Sequence, residues 1–136
     1  MEAFSLENLG YAYQAIDAFQ RAIAFHQQQL DIAREIGDQY GEGISLENMG
    51  GTLISLEKYD EAYECLEKAL DIDQEIGFRS GEAETLKKFA DWHFQQDQYS
   101  EAFEYCLKAL NLATELKIPL AKDCEELKQK IESVTI

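Results

Sequence analysis

The sequence predicts an all-α chain, a solenoid of three helix-turn-helix repeats closed by a capping helix, with about seven helices in all. Three observations lead there. Residues 46–85 recur without insertion or deletion as residues 6–45 and 86–125, a fixed period of 40. Within each copy the apolar residues fall three and four apart, the spacing of one helix face. Helix-ending signals stand between the periodic runs: Gly37, Gly77 and the lone proline, Pro119.

Each element follows in order. Phe4, Leu6, Leu9, Tyr13 and Ile16 make a first helix, expected to be short or frayed because no Gly-Asp turn precedes it. Its outer face is a candidate surface for self-association. From about Ala18 to Ile36, Phe19, Ala22, Ile23, Leu30, Ala33 and Ile36 define a second helix, with Gly37 as left-handed C-cap and Asp38 as the next N-cap. Copy two reads as a helix over 40–56, a turn at 57–59 and a helix over 60–76, ending at Gly77. Copy three reads as a helix near 81–95, a turn at 96–98 and a helix from an N-capping Ser100 to Lys117. Pro119 then breaks the chain and starts a last helix over 120–134, with Leu120, Cys124, Leu127, Ile131 and Val134 on one stripe. Such a helix would cover the apolar face of the last repeat and end the array. The whole chain, residues 1–136, is therefore expected to form one domain.

Composition narrows the function. Hydrophobic residues make up 46% and charged residues 29%, ordinary for a folded chain. The net charge of −15 repels phosphate backbones and anionic lipid surfaces, which argues against nucleic acid or a membrane and for a neutral or basic partner. The three cysteines, Cys65, Cys106 and Cys124, form no CxxC pair and read as small core residues, pointing to a reducing, cytoplasmic setting. No run of residues is long and apolar enough to span a bilayer.

Chemistry-bearing motifs are weak. GxSxG, GxxxxGK and GxGxxG do not occur, so no enzymatic activity and no cofactor are expected. Asp71, Asp73, Glu75 and Glu82 resemble a calcium loop, but the glycine falls one place late, at Gly77, and the repeat register explains these residues better. His26 and His93 sit in different repeats on different helix types and read as core-edge residues, so no metal is expected. Trp92 reads as a packing residue. Asp60, Glu61, Glu64, Glu67 and Asp71 follow one side of a helix, as on a solvated convex face.

Small residues at fixed places carry the strongest signal. Leu46-x-x-Met49-Gly50-x-x-Leu53 is followed by Ala62-x-x-x-Leu66. Copy one has Leu6, Leu9, Gly10, Tyr13, Ala22 and His26, and copy three has Leu86, Phe89, Ala90, His93, Ala102 and Cys106. Gly10, Gly50 and Ala90, facing Ala22, Ala62 and Ala102, let the two helices of a repeat approach closely. This pattern resembles the tetratricopeptide repeat over residues 3–125. Leucine replaces the usual tryptophan and no proline ends the second helix, so the longer period is similar to that of Pins-type adaptors and many bacterial regulators.

The resemblance implies a right-handed arc whose first helices line a concave groove for a partner's peptide. Mapped onto this chain, that face is Phe4, Glu7, Asn8, Tyr11 and Gln14 in copy one. In copy two it is Ile44, Glu47, Asn48, Gly51 and Ile54, and in copy three Glu84, Lys87, Lys88, Asp91 and Phe94. Asn8 and Asn48 can offer donor and acceptor to a peptide backbone, with Tyr11, Ile54 and Phe94 as exposed apolar anchors. Glu7, Tyr11 and Glu84 stand where a clamp for acidic tails would need Lys, Asn and Lys, which disfavours such a ligand. The implied function is a scaffold or adaptor. A peptide-sensing regulatory module of a signalling or transcription-control system is the alternative.

Overall fold

The computed structural model describes residues 2–135, with side chains described from residue 15 onward. All regular structure among these residues is helical: α1 (Glu2–Ile36), α2 (Gln39–Ser55), α3 (Tyr59–Ile76), α4 (Arg79–Gln95), α5 (Tyr99–Leu116) and α6 (Leu120–Val134). Sequential helices pack as antiparallel neighbours in an α-solenoid, and α4 also touches α2 and α6 along one side. That side is the inner face of the stack.

The turns form where local chemistry demands them. Gly37 and Gly77 adopt φ of 73° and 72°, where a Cβ is disfavoured. Asp38 caps α2 by accepting a hydrogen bond from the Gly41 amide at 3.0 Å. Within copies two and three, Glu57 and Asp97 turn the chain at φ of 59° and 62°. Lys117 closes α5 in the same left-handed region, and Pro119 precedes α6 as its N-cap.

Three expectations need correction. The first repeat does not contain two helices: α1 runs unbroken through residues 17 and 18, where copies two and three turn, so six helices are described. Copy one has Ile16-Asp17-Ala18-Phe19 where copy two has Leu56-Glu57-Lys58-Tyr59, and Ala15 and Ala18 are strong helix formers on either side of Asp17. Ser100 lies inside α5, whose N-cap is Gln98. Val134, the last residue of α6, is 49% exposed and does not join the buried stripe.

The core is divided between repeats. One cluster joins Leu30, Leu46, Met49, Leu53, Ala62, Leu66 and Phe89 across α1 to α4. A second joins Ala90, Ala102, Cys106, Ala109, Cys124, Leu127 and Ile131 across α4 to α6. Tyr105 packs against both. A fully buried leucine such as Leu66 contributes on the order of 2–3 kcal/mol. Nearest-neighbour burial of this kind is how repeat arrays hold together.

The small residues do what their spacing implies. A Cβ built on Gly50 would lie 2.7 Å from Leu66 Cδ2, inside van der Waals contact. Copy three carries Ala90 at that place and Cys106 opposite, both fully buried. The methyl group added on one helix is offset by the smaller side chain on the other.

Candidate functional site

The inner sides of α2, α4 and α6 carry three adjoining clefts. The largest, about 570 Å³, is lined by Asn48, Gly51, Thr52, Ile54 and Ser55 of α2, Lys88, Asp91 and Gln95 of α4, and Phe19 and His26 of α1. A second of about 380 Å³ holds Ile44, Glu47 and Asn48 with Phe78, Ser80, Gly81, Glu84 and Lys88. A third of about 180 Å³ lies between Lys87, Asp91, Phe94 and Gln95 of α4 and Asp123, Glu126, Leu127 and Lys130 of α6. Asn48 and Lys88 belong to the first two, and Asp91 and Gln95 to the first and third. The clefts thus form one continuous groove.

The helix period explains who lines it. Glu47, Asn48 and Gly51 fall on one side of α2, opposite the side that buries Leu46, Met49 and Leu53. Lys87, Lys88 and Asp91 lie likewise on α4, away from buried Phe89 and Ala90. All nine described candidates, Ile44, Glu47, Asn48, Gly51, Ile54, Lys87, Lys88, Asp91 and Phe94, line one of the three clefts. Glu7, Asn8 and Tyr11, with Phe4 and Gln14, lie outside the residues whose side chains are described.

Two anchors differ from expectation. Ile54 is only 8% exposed and belongs to the first core cluster, because its position on α2 turns most of the side chain inward. Phe94 is half-buried, its ring tilted against Tyr99 at 5.6 Å.

Charges in the groove are paired by proximity. Lys88 Nζ reaches Glu47 from α4 at 3.4 Å, and its stem passes over Gly51, where a Cβ would meet Cε at 2.7 Å. Burial raises the Glu47 carboxyl above its ordinary range, Lys88 counters this, and nearby Glu84 adds to it. Lys87 grips Asp91 at 2.9 Å, one turn along α4. Burial raises Asp91 as well, against the pull of Lys87. Five carboxylates (Glu47, Glu84, Asp91, Asp123 and Glu126) face three lysines (Lys87, Lys88 and Lys130). The groove is therefore acidic on balance.

Elsewhere the side chains take structural positions. Trp92 Nε1 donates to the Tyr59 carbonyl at 2.8 Å, and its ring joins Tyr59, Tyr63 and His93. His93 stacks on Tyr105, which stacks on Phe89. No single copy reveals this aromatic cluster, which spans α3, α4 and α5. His26 is half-buried, and burial lowers its pKa. Burial pushes the thiols of Cys106 and Cys124 up to about 11 and about 12, and the Cys106 Sγ donates to the Cys124 carbonyl. Asp73, the centre of the calcium-like spacing, is buried and accepts from Thr85 Oγ1 at 3.0 Å. Asp60, Glu61, Glu64, Glu67 and Asp71 are all exposed. Among the described residues no group of three or more metal-ligating side chains comes together, and no helix is long and apolar enough to cross a membrane.

Sequence reasoning missed part of the groove wall. Phe78, Ser80, Thr52, Ser55 and Gln95 lie outside the positions mapped from copy to copy, and Asp123, Glu126 and Lys130 lie on the capping helix α6. For the last three a signal existed: their spacing of three and four places them on one face of α6.

Comparison with known families matches residues 41–115 to a model described as tetratricopeptide repeat, and residues 5–40 to a second model with the same description. Comparison with curated proteins gives no match.

Proposed function

Because the chain belongs to the tetratricopeptide repeat family, whose repeats generally mediate protein–protein interaction, we propose that it is a scaffold or adaptor. Its inner groove would hold a neutral or basic segment of another protein, in the cytoplasm. One observation carries this reading: the candidate residues of two repeats line three adjoining clefts, joined by Asn48 and Lys88 and by Asp91 and Gln95, in which carboxylates outnumber lysines.

The chemistry suits an extended segment. Asn48 offers both a donor and an acceptor at the junction of the two larger clefts, the pair that a passing peptide backbone requires. Phe94 and Phe78 present ring surface at the groove edge for an apolar side chain. Glu84, Asp123 and Glu126 supply negative potential for Lys or Arg on the partner. Exposed carboxylates are screened beyond about 8 Å at physiological ionic strength, so binding should weaken as salt rises.

An array of peptides graded from acidic to basic, probed with the labelled full chain, tests the proposal. Binding to neutral and basic peptides that weakens with salt supports it. Preference for acidic peptides, or no peptide binding, overturns it.

A further inference from the structure

The first repeat carries a docking motif without its dock. In copies two and three the leading helix lies against its own second helix, and Ala62, Leu66, Ala102 and Cys106 are all fully buried there. Their counterparts in copy one, Ala22 and His26, remain partly open to solvent. His26 and Phe19 instead form a wall of the 570 Å³ cleft, opposite Thr52 and Ser55 of α2. That is where the leading helix of copy one would lie.

The chain retains the sequence of that helix. Leu6-x-x-Leu9-Gly10-x-x-Tyr13 repeats Leu46-x-x-Met49-Gly50-x-x-Leu53, including the glycine that admits Leu66. Yet residues 6–13 and residues 22–26 belong to one unbroken helix. Residues 10 and 26 are about 24 Å apart along its axis, so the segment cannot reach its own dock.

We propose that a second copy of this chain supplies the missing helix, by reciprocal exchange of residues 2–16. The equivalence of Gly50–Leu66 with Gly10–His26 sets the register along the helix axis. A pairing of residue 10 with residue 26 is centred on residue 18, so two α1 helices would run antiparallel and cross about Ala18, a small exposed residue. The contact is self-complementary and closes as a two-fold dimer. It completes the burial of Ala22 and His26, which are only half-buried.

The exchange would occupy the α1 side of the 570 Å³ cleft and leave its α4 side and the two smaller clefts to a partner segment. Lys88 of copy three meets Glu47 and Gly51 of copy two. By the same register, Asn48 would meet Glu7 and Tyr11 from the second copy. The dimer does not depend on what the groove binds.

Sedimentation equilibrium on the full chain at tens of micromolar tests it, with two variants. The expected mass is twice 15.5 kDa. Gly10→Leu, which places bulk where the register requires closest approach, is expected to weaken dimerisation at least tenfold with helicity retained. The double variant Asp17→Gly, Ala18→Asp, which supplies a left-handed turn and an N-cap, is expected to fold residues 2–16 back on their own chain and give a monomer. A monomeric parent chain would overturn the proposal. So would a dimer that survives either substitution.

Discussion

Lys88 on α4 reaches back 3.4 Å to Glu47 on α2, tying the inner faces of two successive repeats together. Both side chains are more than three-quarters out of water, so the pair is screened less than a surface ion pair. Lys88→Ala leaves Glu47 charged and partly buried, and is expected to cost about 1 kcal/mol at pH 7.5. At pH 4.5 the raised Glu47 carboxyl takes up a proton more readily, and the loss should shrink. Urea denaturation at the two pH values measures both.

Asp73 gives a second pH dependence. Burial raises its pKa from 3.8 to about 6, with Glu47 and Glu82 adding to the rise and the Thr85 hydrogen bond opposing it. Between these values the folded state holds more protons than the unfolded one, so this residue makes stability fall as pH rises from about 4 to about 6. Asp73→Asn keeps an acceptor for Thr85 without the charge. It is expected to flatten that slope and stabilise the protein by about 1–3 kcal/mol at pH 8, read from chemical denaturation.

Gly50 and Gly51 should respond oppositely to alanine. At Gly50 the new methyl group meets a fully buried Leu66, so crowding of about 1–3 kcal/mol outweighs the gain in helix propensity. At Gly51 it meets only the flexible stem of Lys88, and the change is expected to be neutral or stabilising by up to about 1 kcal/mol. Thermal melts separate the two. Combining Gly50→Ala with Leu66→Cys, the pairing found in copy three, should cost less than the sum of the single changes.

Thiol reactivity should rank by burial. Cys65 is partly exposed, whereas Cys106 and Cys124 are fully buried with strongly raised pKa values. Iodoacetamide is expected to add once to the folded protein, at Cys65, and three times in denaturant, counted by mass spectrometry.

Much of this architecture was legible because a repeat prints the same packing rule several times. Gly50, Ala62 and Leu66 recur as Ala90, Ala102 and Cys106, and a spacing that recurs at 40 residues exposes the buried face of each helix. The inner face came from the family resemblance, which assigned Asn48 and Lys88 to it without coordinates. What escaped was whatever differs between copies. Asp17 occupies the position at which Asp97 turns the chain in copy three, and only the backbone reveals α1 as unbroken. Ile54 was placed in the groove by the resemblance, though its position on α2 turns most of its side chain into the core. The aromatic cluster joins residues of three helices, a relationship that no one-dimensional period contains.

The groove itself is tested most directly by Asn48→Ala combined with Glu84→Lys, measured against a basic peptide bound by the parent chain. The first change removes the amide at the junction of the two larger clefts, and the second reverses charge beside Lys88. Affinity is expected to fall at least about tenfold, with helicity at 25 °C unchanged. An unchanged dissociation constant in the folded double variant would contradict the assignment of this face as the binding surface.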